Sequence, residues 1–142
     1  MSTGKRLALT FVAGVIALCA ATAPITQLSA ATPLASRTSD AGGVRVVVTP
    51  KTADLGATVW EFEVIMDTHT KPLNEDLVRA AVLVDDNRRQ HAPLAWQGDP
   101  PGGHHRKGIL RFPSPSERPK AIELQISGVG DPGKRVFRWE IN

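Results

Sequence analysis

From Val44 onward the chain alternates apolar and polar residues in short runs. Thr58 to Asp67 shows the pattern best, with Trp60, Phe62, Val64 and Met66 on one side and Glu61, Glu63 and Asp67 on the other. A period of two sends successive side chains to opposite faces of a strand, so this segment predicts one buried and one wet face. Ile65 interrupts the polar side and predicts cover over that end. Ala121 to Ser127 repeats the pattern, with Ile122, Leu124 and Ile126 inward and Glu123 and Gln125 outward. Arg135 to Ile141 puts Phe137, Trp139 and Ile141 on one face and Val136 and Arg138 on the other. Shorter strands are expected at Val44 to Thr49, ended by Pro50, and at Lys107 to Phe112, closed by Pro113, Pro115 and Pro119.

The segments between are less regular. Thr68 to Asp76 reads as a loop, with Asn74 available to cap a helical turn. Leu77 to Val84 fits two patterns: a helical face of Leu77, Ala80, Ala81 and Val84, or a strand through Val82-Leu83-Val84 into an Asp85-Asp86-Asn87 turn. The flanking β pattern and the shortness of the run favour a strand from Ala80. Arg89 to Trp96 returns as the second arm of that hairpin. Pro93 has no N–H for a ladder, which predicts an edge position or a bulge. The sum is seven short strands with turn signals about ten residues apart, the pattern of an antiparallel β-sandwich of immunoglobulin-like type over residues 44–142. A small open barrel is the alternative. A Cys-Trp-Cys framework is absent.

The first 31 residues follow another plan. Lys5 and Arg6 precede an apolar stretch from Leu7 to Ala23, and small residues lead to Leu28-Ser29-Ala30-Ala31. Charge, apolar core and small-residue site in that order predict a secretory signal peptide cut after Ala31. A membrane-spanning helix needs about 20 apolar residues, so an uncleaved anchor fits this Ala- and Thr-rich stretch less well. Membrane attachment is expected only through such retention. Cys19 falls in the removed segment, and Leu18 before it is not the small residue that a lipidation site calls for. Residues 32–43 are small, polar and without period, and read as a flexible leader. The expected location is periplasmic or extracellular.

Removal of the signal changes the charge argument. The full chain carries a formal +3, but without Lys5 and Arg6 the balance is 15 Lys and Arg against 14 Asp and Glu. That is no basic field, and Arg88-Arg89 and Arg106-Lys107 read as solvated hairpin charges. Nucleic acid is therefore not an expected partner; an unidentified protein or cell-envelope component is. The chain after residue 31 has no cysteine, so the core must hold the fold without disulfides.

Candidate chemistry concentrates in Trp96-Gln97-Gly98-Asp99-Pro100-Pro101-Gly102-Gly103-His104-His105-Arg106-Lys107-Gly108. The prolines stiffen this loop and the glycines allow turns closed to other residues. Asp99, His104 and His105, joined by His69 and Asp67, offer carboxylate and imidazole ligands suited to Zn²⁺ or Cu²⁺. Against this, adjacent residues on a strand point to opposite faces, and a spaced motif such as His-Glu-x-x-His is missing. The other reading makes this a structural loop, with Asp99 capping a turn and one histidine locking the backbone. His91 reads as an exposed hairpin residue, and Trp60, Trp96 and Trp139 read as core or rim anchors. No Gly-x-Ser-x-Gly elbow or phosphate-cradling glycine motif is present, and Glu61 and Glu63 read as a solvated face, so enzymatic activity is not expected.

The Trp96–Arg106 run, following Pro93-Leu94, resembles a Trp-x-Gly-Asp-Pro-Pro-Gly-Gly-His-His-Arg motif of uncharacterised prokaryotic exported β-sandwich proteins. Trp60-Glu61-Phe62-Glu63-Val64 and Asp67-Thr68-His69-Thr70 are similar to that group's earlier signature. The resemblance spans Val44 to Trp139 and implies export and a β fold; it implies no activity. The expected function is an exported, non-enzymatic β-sandwich that binds a partner or serves a structural role. The alternative is a divalent metal-binding domain built on the Gly/Pro/His loop.

Overall fold

The computed structural model describes Met1 and residues 32–54 and 56–141. The expected signal segment and its cleavage site lie outside the described residues. Every element falls in the compact unit Ala31–Asn142. In chain order these are β1 (Arg37–Ala41), β2 (Val44–Thr52), β3 (Val59–Thr68), α1 (Leu77–Ala80), β4 (Ala81–Asp85), β5 (Gln90–His91), β6 (Ala95–Gly98), β7 (His105–Pro113), β8 (Ala121–Ser127) and β9 (Lys134–Glu140). They form an antiparallel β-sandwich. One sheet has the order β1-β2-β3-β7-β6 and the other β5-β4-β8-β9.

The period-two faces point where the sequence sends them. Trp60, Phe62, Val64 and Met66 from β3, and Ile122, Leu124 and Ile126 from β8, are buried between the sheets with Val44, Val46 and Val48 of β2. Phe62 packs edge-on against Phe112 at 5.7 Å within its own sheet and meets Trp139 of the opposite sheet at 5.8 Å. Each such burial contributes about 1.5–3 kcal/mol, and together they fix which face of each strand looks inward. Among the described residues no helix is long and apolar enough to cross a membrane.

Among the described residues nine strands replace the expected seven. The first addition is β1, inside the segment read as an unpatterned leader. It pairs with β2 from Arg37 opposite Val48 to Ala41 opposite Val44. An edge strand can be largely exposed, as β1 is, and so needs no apolar period. The second addition comes from the expected Arg89–Trp96 arm, which is divided. β5 ends one sheet and β6 ends the other, so the chain changes sheets at Ala92–Leu94. Pro93 lies in that crossing, where no ladder needs its missing N–H.

Both patterns in Leu77–Val84 are realised in sequence. Leu77–Ala80 makes one helical turn capped by Asp76, not Asn74, through a bond from the Val78 N–H to Asp76 Oδ1 at 3.0 Å. The strand follows from Ala81. β2 also outlasts its expected end: Pro50 pairs opposite Phe62, with a register shift before Thr52. Pro50 lies beyond the last β1 pair, on a stretch where no second ladder needs its missing N–H.

Candidate functional site

The Trp96–Gly108 run is a hairpin, β6 to β7, whose tip is tied to the loop leaving β3. The Leu73 N–H donates to the Gly103 carbonyl at 2.9 Å, and the Gly102 N–H donates back to the Leu73 carbonyl at 2.8 Å. Gly102 and Gly103 have φ of 114° and 69°, values that glycine adopts without a Cβ penalty. The Thr68 N–H donates to the His104 carbonyl at 2.9 Å. The two loops are thus laced by main-chain bonds.

Arg106 tightens the same knot from inside. Its side chain is 1 % exposed, one of the largest fully buried groups in the molecule. Nη1 donates to the carbonyls of Leu73 (3.2 Å) and Glu75 (2.8 Å), Nη2 lies 3.4 Å from the Asp99 carbonyl, and the guanidinium sits 5.5 Å from the Trp96 ring centroid. Burial lowers its pKa, opposed by the carboxylates of Glu75, Asp99 and Asp76; an arginine keeps its charge under such pressure. This corrects the reading of Arg106 as a solvated hairpin charge. The signal was available: extending the inward series Phe112, Leu110, Gly108 by two residues gives Arg106. The same count from Trp139 and Phe137 gives Arg135, buried and bonded to the carbonyls of Ser39, Ala41 and Val129.

Asp99 also acts on backbone. Its Oδ2 accepts the Lys107 N–H at 2.8 Å, its own N–H donates to the Lys107 carbonyl at 3.0 Å, and its carbonyl accepts Trp96 Nε1–H at 2.8 Å. The Trp96 ring lies over paired glycines: a Cβ on Gly108 would come within 2.6 Å of Trp96 Cζ2. Most of the motif thus closes and stiffens a hairpin.

The candidate histidines face solvent, whereas His91, read as exposed, is half-buried against Asp85. His104 and His69 are exposed. His105 stands directly opposite Asp67, and its Nδ1 pairs with Asp67 Oδ1. Of the five candidate ligands, the structure brings these two together and turns Asp99 to the Lys107 amide. Among the described residues no group of three His, Cys, Asp or Glu is placed to hold a metal ion.

Sequence reasoning missed the row to which this pair belongs. Asp40 of β1 stands opposite Arg45 of β2, Arg45 opposite Asp67 of β3, and Asp67 opposite His105 of β7. Directly opposed residues share a face, so acid, base, acid and imidazole run in order across four strands. The row borders an open cleft of about 650 Å³ to which Asp40, Arg45, Asp67 and His69 contribute. Farther along the same face, Glu63 pairs with Lys107 at 3.0 Å and Glu61 with Arg111 at 3.2 Å. Reading the row from sequence required β1, which has no apolar pattern to betray it. No protein-family model matches the chain, and no curated protein matches it either.

Proposed function

We propose that this chain is an exported, non-enzymatic binding module whose recognition surface is the Asp40–Arg45–Asp67–His105 row and the cleft beside it. The observation that carries the reading is the construction of that row. Four strands each supply one exposed polar side chain in fixed register, and none of the four is needed in the core. A rigid surface of alternating charge suits a polar or charged partner, because little ordering remains to oppose association. Export is supported by Lys5-Arg6, the Leu7–Ala23 apolar run and the small residues Ser29 and Ala31. N-terminal sequencing of the protein recovered outside the cytoplasm should begin at Thr32; an intact Met1 start in the cytoplasm overturns export. Arg45→Ser with His105→Ser should keep the melting temperature and lose co-sedimentation with cell envelopes. Undiminished co-sedimentation removes the row from the reading.

One observation favours a second reading, divalent metal binding. Asp67 engages His105 through Nδ1, the arrangement in which a carboxylate orients an imidazole and leaves Nε2 for a metal. His104 or His69 would supply further nitrogens after side-chain movement. Melting with Zn²⁺, Cu²⁺ and EDTA decides it. A ligand specific to the folded state adds about 2.7 kcal/mol at a hundred times its Kd. A shift lost in His104→Ala/His105→Ala establishes the metal reading, and no shift in either protein ends it.

A further inference from the structure

The outward face of the five-stranded sheet carries apolar side chains as well as charge. Beside the Asp40 row runs a second one, in which Thr38, Val47, Ile65 and Lys107 oppose one another across β1, β2, β3 and β7. A third sets Thr49 opposite Glu63 and Glu63 opposite Ile109. Val47, Ile65 and Ile109 are half-buried although they lie outside the sandwich. The cover that Ile65 predicts is not supplied among the described residues: every described strand belongs to one of the two sheets, and α1 meets β6 and β8. Val47 opposes Ile65, and Ile109 is the diagonal neighbour of Ile65. An apolar centre therefore sits inside a charged border, the anatomy of an interface between proteins.

These rows are complementary to themselves. Consider a two-fold axis along the strands, midway between β2 and β3. It lays each β2 residue over a second copy's version of the β3 residue that it opposes, and each β1 residue over the β7 residue of the same row. Arg45 then meets the partner's Asp67, Val47 the partner's Ile65, and Thr49 the partner's Glu63. Asp40 meets the partner's His105, and Thr38 the partner's Lys107. No two like charges face each other in these rows. The match comes from alternation over an even number of strands: acid, base, acid, imidazole, turned end for end, lays each group on its opposite. An isologous contact demands such self-complementarity. An axis along the strands also suits sheets packed face to face, whose strand directions stay within about 30° of each other.

Resting on the reading of the Asp40–His105 row as a recognition surface, we infer that its partner is a second copy of this chain, docked face to face about that axis. Four strands about 4.8 Å apart and four rows about 7 Å apart span roughly 500 Å². Two copies thus cover about 1,000 Å², the lower bound of specific interfaces, which fits a weak, reversible dimer. Two copies held together also meet a cell envelope at two points.

The test is sedimentation velocity on the full chain from about 1 to about 100 µM, with a dissociation constant on the order of 10 µM expected for an interface of this size. Arg45→Asp and Asp67→Arg each bring like charges together at both symmetry-related contacts. Each alone should weaken the dimer about a hundredfold, tenfold at each contact. Mixed in equal amounts, the two variants should recover a dimer with one copy of each, because acid then faces base at both contacts. Melting temperatures report whether each variant is folded. Ile65→Thr keeps a β-branched strand residue and trims the apolar centre; it should weaken the dimer about tenfold and serves where a charge variant unfolds. A native chain that stays monomeric throughout the range overturns the inference. In that case, loss of envelope co-sedimentation by Arg45→Ser with His105→Ser still leaves the row as a recognition surface for another partner. A dimer that keeps its affinity in the variants, or that two folded charge variants fail to restore on mixing, overturns it as well.

Discussion

Asp85 holds Arg89 twice: Oδ1 accepts the Arg89 main-chain N–H and Oδ2 accepts Nε–H, both at 2.9 Å. Oδ1 also accepts the Asn87 N–H at 2.9 Å, and His91 Nε2 lies 3.4 Å from Oδ2. One buried carboxylate thus organises the β4–β5 turn. Asp85→Ala should cost about 2–3 kcal/mol in urea unfolding, because it leaves two turn amides and a guanidinium without their acceptor.

The same carboxylate predicts a pH dependence. Burial raises the Asp85 pKa, but the hydrogen bonds from Arg89 and His91 outweigh it and leave the pKa below the ordinary 3.8. A depressed folded-state pKa gives stability that is full above the unfolded value and is lost as pH falls through the folded one. The melting-temperature gap between the native protein and Asp85→Asn should hold from neutral pH down to about 4 and close below it. A gap that persists unchanged at the acid end contradicts the assignment.

Arg106→Leu should destabilise by about 3 kcal/mol. It keeps bulk but leaves the Glu75 carbonyl without its donor, and the Leu73 carbonyl with the Gly102 N–H alone, in a dry site. Amide exchange at Leu73 and Gly102 should quicken more than at β8, since those two amides lie in the loops that Arg106 joins. Uniform acceleration across both sheets would mean that Arg106 serves the core and not the knot.

Gly108→Ala forces a methyl into the Trp96 ring and the Gln97 carbonyl, 2.6 and 2.7 Å from the built position. A loss of about 1–3 kcal/mol is expected, the usual cost of overpacking. Trp96→Ala in the same chain should relieve only part of it, because the main-chain contact remains. Thermal unfolding of the two single variants and the double variant measures that coupling.

Much of the core was legible because β3 and β9 alternate along their whole length and β8 does so from Ile122, and the helical turn at Leu77–Ala80 appeared as a competing period. What escaped had a physical reason. β1 buries too little to impose a pattern. Pro93 signalled a departure from the ladder, but not that the chain would cross to the other sheet. Arg106 and Arg135 occupy inward positions as charges, and a reading that sorts charge to the outside misplaces both; the strand period alone would have placed them. The candidate site was half legible: His105 and Asp67 stood out by residue type, while Asp40 and Arg45 join them only through strand register.

Arg135 joins β9, and the turn before it at Val129, to β1 across 96 residues to Ser39. A polypeptide delivered from its N-terminal end, by a ribosome or through a pore, therefore cannot clamp β1 until the 96 residues that follow Ser39 have emerged. Until then β1 is held by its ladder to β2 alone, and a chain cut before β9 leaves that edge without its clamp however long it is given.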